Sequence, residues 1–573
     1  MMFNEIMNRF VEQSAVSVMF RGTLENVVTP KLLDEIFDQT AIRQHTVELL
    51  FSSVVNLLTL VATGSRKSVN DAYQAKKEQF TVSVTAVYDK LNGVETEVSR
   101  QIVRQTALRM AEVVDHLSPR RPRLLRGYRV RIIDGNHLAA TDHRLAELWT
   151  IGGGPLPGQA LVVLEPDRML ITDVFPCEDG HAQERSLLPQ VLPSVEAGDL
   201  WIADRNFCTT DFVFGIPARG AAFLIRQHAQ NLNDELLGER CQRGCCPTGT
   251  VYEQKMRLTD KSGKVMIVRR ITIELKKPTR KGETEIHMVT NLPAKAANAR
   301  SIAELYLHRW TIERAFHELD QALHSEINTL GYPGAALLSF CVALLTYNVV
   351  SVVKSALQAA HGAKAKRETL SGYYLAGEMA ATYHGMMIAV EPTQWRRHFG
   401  SLSPAKLAQL LKTMAAHVRP DRFRKNVRGP KIPPPKRSSA RYHPHVSTAR
   451  LRAYPKTEQI VTTGVEQDMD VTCSMHGGGY ASRLVRSVCA DVGENVAAAR
   501  AVVAKVSAQS EGRSASRESA RRRQRSLLSV ANGLPVESVA AAVRCAKHGA
   551  SLLSGMEPTA RLPPLLEDVF TNV

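Results

Sequence analysis

Apolar side chains recur at helical spacing through the first part of the chain. Leucine, isoleucine and phenylalanine share one helix face within residues 32–37, and the same period continues through residues 47–58. After a short break, residues 83–91 show a further helical pattern, in the position of the recognition helix of a helix-turn-helix motif. The pattern predicts a helical N-terminal region over residues 1–117, which is either a DNA-binding region or an ordinary helical bundle.

The pattern changes after a basic, proline-containing segment at residues 118–123. Short apolar runs follow, with glycine or proline between them, as in β-strands, and residues 186–195 have the spacing of a short helix. The predicted strands cover residues 128–134, 160–164, 168–175 and 200–204. Three strands, a helix and another strand indicate a mixed α/β fold with a central sheet over residues 126–207.

Further changes of pattern divide the rest of the chain. Residues 208–292 alternate short β segments with charged turns and predict a β-rich insertion, after which helical spacing returns over residues 296–358. Residues 359–456 form a basic region whose later part, rich in proline, is predicted to be irregular. Residues 457–573 carry no recognisable motif and are predicted to be partly disordered. The long apolar run at residues 334–353 contains serine, threonine and asparagine, which favours a buried core helix over a membrane span.

A strongly positive charge narrows the class of partner. The chain has 573 residues, a net charge of +17 and a sequence pI of about 9.5, and 44% of its residues are apolar. The apolar fraction is enough for a large core, and the charge favours an anionic polymer such as nucleic acid. Charge alone also suits ribosomal and membrane-surface proteins, so it indicates a partner class and not an activity. The first residues lack a basic region followed by an apolar core, so no signal peptide is predicted.

The cysteines indicate a reducing compartment. Nine cysteines in a chain of this length do not form a disulfide scaffold, and their odd number favours free thiols in a cytoplasm. Cys241, Cys245 and Cys246 lie close together, either as part of a zinc site or as a thiol-bearing loop. Because no second Cys or His pair lies nearby at ligand spacing, the loop is favoured.

Three carboxylates that are distant in sequence carry the main chemical signal. Asp134 and Asp204 each follow an apolar run and precede a small polar loop, and Glu313 lies on a predicted helix. Magnesium prefers oxygen ligands, and two such ions about 4 Å apart can activate a nucleophile and stabilise the leaving oxygen of a phosphodiester. The three acids on a basic chain therefore predict metal-dependent chemistry on nucleic acid. A nucleotide-driven enzyme is disfavoured, because the sequence contains no Gly-x-x-x-x-Gly-Lys-Ser/Thr phosphate loop.

The segment that contains Glu313 adds a cation and a hydroxyl to this signal. Tyr306, Arg309 and Glu313 lie three and four residues apart in what the pattern predicts to be one helix, so they share a face. An aromatic hydroxyl, a guanidinium and a carboxylate together suit the binding of phosphate beside a metal ion.

Over roughly residues 30–455, the chain resembles the bacterial insertion-sequence-4 family of DDE transposases in the order of its short motifs. Tyr306-Leu-His-Arg309 together with Glu313 matches the family's Tyr-Arg-Glu-Lys signature. Thr290-Asn-Leu matches its Thr-Asn-Leu motif, and Asp134-Gly and Asp204-Arg-Asn-Phe match its two aspartate motifs. The family's lysine, seven residues after the glutamate, is replaced by Asp320. An acid near the cleaved phosphate would repel DNA unless a metal ion or a neighbouring cation compensates for it.

The resemblance implies a fold, an activity and a set of partners. It implies a ribonuclease-H-like catalytic core, a mixed sheet flanked by helices, interrupted by the β-rich insertion. It also implies Mg²⁺-dependent or Mn²⁺-dependent strand cleavage at transposon ends and strand transfer by a cut-and-paste route. The implied partners are double-stranded DNA with terminal inverted repeats, target DNA and a second copy of the chain in a synaptic complex, with no membrane. The implied location is a bacterial cytoplasm, at the nucleoid.

The resemblance also assigns roles position by position. Asp134, Asp204 and Glu313 would be the catalytic metal ligands, and Tyr306, Arg309 and Arg205 would bind phosphates. Trp310 is either a residue that stacks on a flipped base or a core residue on the opposite helix face. Two other functions stay open: an inactive DNA-binding relative that acts as a repressor or inhibitor, and a structure-selective nuclease with the same core.

Overall fold

A computed structural model describes residues 3–46, 48–118, 122–139, 141, 156–279 and 282–426. All of them belong to the first of the two compact units of the chain, Met1–Gly429. The second unit, Pro430–Val573, lies outside the described residues, and so does the predicted disordered tail at 457–573.

Helices make up the first part of the described chain. They are α1 (Glu5–Val27), α2 (Pro30–Thr40), α3 (Phe51–Ala62), α4 (Val69–Gln74), α5 (Val84–Asn92) and α6 (Thr96–Leu117). The predicted recognition helix is α5, whose cap residue Ser83 accepts a hydrogen bond from the Ala86 amide at 3.2 Å. Residues 75–83 separate α4 from α5, a longer connection than the three-residue or four-residue turn of a helix-turn-helix. The buried side chains of these helices belong to the same core cluster as the face of the sheet that they cover.

A mixed sheet forms the centre of the described unit. Its strands are β1 (Arg129–His137), β2 (Gln159–Glu165), β3 (Leu170–Cys177), β4 (Asp199–Ala203), β5 (Ala222–Arg226), β6 (Asn233–Cys246), β7 (Gly249–Thr259), β8 (Val265–Leu275) and β9 (Glu285–Thr290). Their order across the sheet is β3-β2-β1-β4-β5-β9-β8-β7-β6. Strand β4 runs parallel to both β1 and β5, and the other neighbouring strands are antiparallel. The predicted mixed α/β architecture is confirmed.

The β-rich segment begins later than the sequence pattern indicates. Residues 208–226 were predicted to open the insertion, but they contain helix α8 (Thr210–Gly215) and strand β5. Because β5 pairs in parallel with β4, it belongs to the same part of the sheet as the strands before it. The antiparallel run β6 to β9 then forms the β-rich segment. A five-residue apolar run is too short for its periodicity to show which strand it pairs with. Only the tertiary structure therefore shows that β5 belongs beside β4.

Helices complete the described chain. They are α7 (Leu188–Val191), between β3 and β4, and then α9 (Ala299–Tyr306), α10 (Trp310–Ala322), α11 (Pro333–His361), α12 (Gly372–Ala389), α13 (Pro392–Trp395) and α14 (Pro404–Ala415). The prediction of irregular structure in the later part of residues 359–456 is therefore wrong for the portion up to residue 415. Trp395 is fully buried, and α14 buries Leu407, Leu411 and Met414 at helical spacing. Arg396, Arg397 and Pro404 interrupt the apolar pattern between Trp395 and the first buried leucine of α14, so the sequence pattern did not reveal these helices.

Helix α11 is the central core helix. Among the described residues, Pro333–Ala365 is the segment long and apolar enough to cross a membrane by length and composition, and its apolar stretch is entirely buried inside the protein. The predicted core helix is confirmed. Asn348, in the middle of α11, accepts a hydrogen bond from the Ile171 amide and donates one to the Ile171 carbonyl, each at 2.8 Å. This side chain satisfies the backbone of β3, which is an edge strand of the sheet.

Both faces of the sheet are covered at its central strands, and alternate residues of β1 and β4 enter different clusters. Val130 and Ile132 of β1 pack in the cluster that includes α6 and α11, whereas Ile133 packs in the cluster on the opposite face. Leu200 and Ile202 of β4 alternate with Trp201 and Ala203 in the same way. This alternation decides on which face the polar residues at the ends of these runs lie.

Candidate active site

The pairing of β1 with β4 places two aspartates side by side. The last parallel pair is Ile133 with Ala203, and the next residues are Asp134 and Asp204. Neighbouring strands lie about 4.8 Å apart, so the two aspartates are close together. Residues two apart in a strand share a face, so both aspartates lie on the same face of the sheet as Ile132 and its partner in β4. Asp204 directly follows β4, whereas the sequence pattern predicts it to be the last residue of a strand over 200–204. Asp134 instead lies within β1, because β1 continues to His137 in its pairing with β2.

The segment predicted to be one helix is broken. Helix α9 ends at Tyr306, residues Leu307–Arg309 form a 3₁₀ turn, and α10 begins at Trp310. The tighter turn changes the angular spacing that the 3.6-residue period assumes, so a shared face does not follow from the sequence offsets. Tyr306, Arg309 and Glu313 nevertheless converge. The backbone stays in the right-handed helical region through the turn, Arg309 contacts Glu313, and Tyr306 interacts with Arg309.

Arg309 lies at the centre of the converging side chains. Its Nη1 donates to Asp134 Oδ2 at 3.3 Å, and its Nη2 lies 2.7 Å from Glu313 Oε1. Burial lowers the pKa of Arg309, but the nearby Tyr306, Asp204, Asp134 and Glu313 raise it more, so the net shift is upward. One positively charged guanidinium therefore interacts with three carboxylates that come from three separate parts of the chain.

Asp134 is the carboxylate most affected by its surroundings. Burial raises its pKa to about 7, against the lowering effects of Arg309 and of the Gly135 amide, which donates to Asp134 Oδ1 at 3.1 Å. Glu184 and Asp204 raise the pKa of Asp134 further. A buried carboxyl with a raised pKa has too little positive charge around it, so this position favours a bound cation.

Near Arg309, Tyr306 is buried and Trp310 is exposed to solvent. Tyr306 is 6% exposed, and its hydroxyl is buried without a hydrogen-bond partner in the described part of the chain, as is Arg309 Nε. Burial, followed by the charge of Asp204, raises the pKa of the Tyr306 hydroxyl. Trp310 is 54% exposed, with the Arg309 guanidinium 4.9 Å from its ring centroid. The interpretation of Trp310 as a core residue is therefore wrong, since its ring faces solvent beside the carboxylates.

Arg205 lies next to Asp204 and is held by the β-rich segment. Its Nη1 donates to Glu283 Oε1 at 3.3 Å, and Arg226 Nη2 donates to the same oxygen at 2.7 Å. The hydrogen bond from Arg226 is the main cause of the lowered pKa of Glu283. No sequence pattern connects Arg226 or Glu283 with the site.

Glu184 is a further acid at the site that the sequence patterns missed. It lies in a 3₁₀ turn after β3, accepts a hydrogen bond from Asn206 Nδ2 at 3.3 Å, and packs so closely on Gly135 that a β-carbon there would collide with its carboxylate. Glu184 thus contacts the residue directly after Asp134 and the second residue after Asp204. Several acids lie between β3 and β4, and only the fold selects this one. Glycine at 135, directly after an acid in a strand, is the one local signal of a close approach.

Asp320 lies on α10 farther along from Glu313 and is exposed. Its carboxylate accepts a hydrogen bond from Gln321 Nε2 at 2.8 Å. Its charge also contributes to the raised pKa of Glu326, after burial, and Glu326 accepts a hydrogen bond from the Ala139 amide at 2.8 Å. The helix that carries Glu313 therefore places an exposed carboxylate at 320, where the resembling family has a lysine.

The described residues fit a hard divalent cation, although they do not form a closed metal site. Within the described ranges, no group of three side chains lies in metal-ligand geometry, and the Arg309 guanidinium occupies the space between Asp134 and Glu313. The donors are carboxylate oxygens, and the raised pKa of Asp134 indicates uncompensated acid, which is what Mg²⁺ or Mn²⁺ binds.

The cysteine cluster does not form a zinc site with the described residues. Cys241 and Cys245 are exposed on β6, and Cys246 is buried with its Sγ 3.1 Å from Thr248 Oγ1. The three lie in a strand, not in the predicted loop, with irregular pairing to β7 around them.

Comparison with known proteins identifies the region that contains this site. Residues 125–349 match the family model described as "Transposase DDE domain". No curated protein matches. Among solved structures, the chain is similar to the piggyBac transposase in its synaptic complex with hairpin DNA, with 10% identity and a TM-score of 0.28, covering 73% of this chain and 86% of that chain. We draw no conclusion from so distant a structural likeness.

Proposed function

We propose that this chain, which carries a transposase DDE domain over residues 125–349, is a DNA transposase that cleaves strands at transposon ends and joins them to target DNA by a cut-and-paste route. The observation that carries the proposal is the convergence of Asp134, Asp204 and Glu313 on Arg309 inside the matched region. Carboxylates at this spacing in sequence and this proximity in space suit metal-dependent phosphodiester chemistry.

The strand order supports a ribonuclease-H-like core for this domain. Strands β1, β2 and β3 form an antiparallel meander, and β4 and β5 add to the other side of β1 in parallel. The acids lie on β1, directly after β4 and on a helix that follows the β-rich segment, so that segment interrupts the core between the second and third acids.

Each side chain has a role that its contacts support. Asp134, Asp204 and Glu313 would hold Mg²⁺ or Mn²⁺, which when bound lowers the pKa of water and stabilises the leaving oxygen. Arg309 keeps Asp134 and Glu313 together in the DNA-free protein, and its guanidinium would bind a phosphate once those carboxylates hold a metal ion. The buried Tyr306 hydroxyl interacts with Arg309 and would donate to the same phosphate. The exposed ring of Trp310 is placed to stack on a base that leaves the duplex.

The proposed partners follow from the same assignment. They are double-stranded DNA with terminal inverted repeats, a target duplex, and a second copy of the chain in the synaptic complex. The net charge of +17 supports a polyanionic partner. We assign the chain to the bacterial insertion-sequence-4 group and to a bacterial cytoplasm on the motifs alone.

One assay tests the proposed function against its two alternatives. Purified protein is incubated with Mg²⁺ or Mn²⁺ and a duplex that joins flanking DNA to the inverted repeat bordering the gene. A transposase releases the end and joins it to a target, whereas a nuclease cuts without joining. A repressor binds without cutting, the outcome expected if the exposed carboxylate of Asp320 prevents DNA from reaching the catalytic carboxylates. Binding without cleavage under both metals would refute the enzymatic proposal.

The stability of the metal-free protein should depend on the protonation of Asp134. Its folded pKa is about 7, whereas a carboxyl in an unfolded chain has a pKa of about 3.9. The folded state binds more protons between these values, so the contribution of Asp134 is fully present below about pH 4 and is lost as the pH rises to about 7. Asp134→Asn stays neutral, so its stability relative to the wild type should increase as the pH rises through this window.

Melting temperatures measured in chelator at several pH values check this expectation. Glu178→Gln is the control, because Glu178 is exposed on the connection after β3. A constant difference between Asp134→Asn and the wild type across the window would show that the carboxyl is not buried as described.

A further inference from the structure

The hairpin between β8 and β9 ends in a turn that fixes one carboxylate. The Thr279 amide donates to the Glu283 carbonyl at 2.9 Å, and the Glu283 amide donates to Thr279 Oγ1 at 3.2 Å. The Thr279 hydroxyl also donates to Glu283 Oε2 at 3.0 Å. Glu283 is therefore held in one orientation by its own turn, before any contact outside the hairpin is considered.

This carboxylate pairs with two arginines beside the candidate active site. Glu283 Oε1 accepts from Arg226 Nη2 at 2.7 Å and from Arg205 Nη1 at 3.3 Å. One oxygen thus receives two guanidinium groups, as a phosphate oxygen does in a nucleic-acid complex. The side chains are 20% to 35% exposed, so the cluster is open to a ligand from solvent.

The position of the arginines connects them with the carboxylates. Arg205 follows Asp204 directly, and Arg226 is the last residue of β5, the strand beside β4. The charge of Arg226 also acts on the Tyr306 hydroxyl. A DNA strand whose cleaved phosphate reached Asp204 would therefore pass the two arginines with a neighbouring phosphate.

We propose that Arg205 and Arg226 form a binding site for a phosphodiester group, which Glu283 occupies in the DNA-free protein as an internal competitor. A carboxylate and a phosphodiester present similar oxygens to guanidinium groups, so only one of them can hold the pair. A partly exposed ion pair contributes little stability, whereas a DNA strand brings many phosphates and releases its counterions on binding. DNA therefore displaces Glu283 at small cost. The identification of the ligand as DNA rests on the proposed function.

Glu283→Gln tests the competition, with Glu285→Gln as the matched control. Glu285 lies at the start of β9, and its Oε1 pairs with Arg240 at 2.7 Å instead of with the two arginines. Both variants change the net charge equally. We expect Glu283→Gln to bind DNA about three- to tenfold more tightly than Glu285→Gln, with a steeper salt dependence from one more phosphate contact. The gain should vanish in the double variant Glu283→Gln with Arg226→Gln.

Fluorescence anisotropy without divalent metal measures both variants on two duplexes of equal length, one with the inverted repeat and one unrelated. Equal affinities of Glu283→Gln and Glu285→Gln would overturn the proposal, because the effect would then be charge alone. Weaker binding by Glu283→Gln would overturn it too, since Glu283 would then hold the arginines in place for DNA. If Glu283→Gln does not fold, Thr279→Val removes the hydroxyl that orients Glu283 and should give a smaller gain of the same sign.

The two duplexes separate this proposal from the proposed function. A phosphodiester contact does not depend on sequence, so the gain with Glu283→Gln should appear on both duplexes. Preference of the wild type for the inverted repeat instead tests the transposase assignment. A gain on both duplexes without any such preference would support the internal competitor and count against the transposase.

Discussion

Alanine at Asp134, Asp204 or Glu313 abolishes DNA strand cleavage, with an expected loss on the order of a thousandfold or more for each variant. The three carboxylates come from β1, from the residue after β4 and from α10, and they meet around one guanidinium. Removal of any one leaves a metal ion with too few oxygen ligands to activate water. DNA binding should remain largely intact, because phosphates are bound by cations such as Arg205, Arg226 and Arg309, which these variants retain.

Cleavage of an end-labelled duplex and binding to the same duplex measure the two effects separately. Asp211→Asn is the control, because Asp211 is exposed in α8 of the same domain and makes only a surface ion pair with Lys261. It should cleave at the wild-type rate. Normal cleavage by all three alanine variants would disprove the assignment of these residues and of the reaction.

Replacement of Asn348 produces the largest expected loss of stability. Its amide makes both hydrogen bonds to Ile171 of β3, and all the atoms involved are buried in the core. Asn348→Ala leaves an amide and a carbonyl of the edge strand without partners and opens a cavity. The expected cost is about 2–5 kcal/mol in the free energy of unfolding. Denaturant unfolding followed by circular dichroism measures it.

Asn348→Leu separates the two parts of this cost. Leucine fills the volume but offers no hydrogen bond, so the variant should stay destabilised by about 1–3 kcal/mol per unpaired backbone group. Thr346→Val is the control in the same helix, because the buried Thr346 hydroxyl only donates to the Val342 carbonyl one turn earlier. It should change stability by less than about 1 kcal/mol. Leucine at 348 with wild-type stability would show that β3 does not depend on this side chain.

The competition proposed for Glu283 explains how carboxylates and the arginines expected to bind DNA can lie close together on one chain. In the DNA-free protein, Arg309 is engaged by Asp134 and Glu313, and Arg226 is engaged by Glu283. The cations expected to bind DNA are therefore paired internally, which keeps charged groups satisfied before the ligand arrives. DNA binding then exchanges one set of anions for another.

The sequence by itself determined the features that depend on local pattern. Periodicity predicted the mixed α/β layout and the buried helix α11, since an apolar run with interspersed small polar residues packs inside a protein whatever its neighbours are. The positions of Asp134 and Asp204 after apolar runs and the spacing of Arg309 and Glu313 selected side chains that the fold brings together. Their roles remain predictions until variants are measured.

Only the tertiary structure decided the contacts between residues that are far apart in the chain. Strand pairing placed β5 beside β4 and thereby Arg226 beside Arg205, and the β8–β9 hairpin brought Glu283 to both. The packing of the turn after β3 chose Glu184 among several acids, and the 3₁₀ turn before α10 exposed Trp310. A periodic pattern records which face of one element is apolar. It carries no information about which other element covers that face, and a site made of several elements depends on that information.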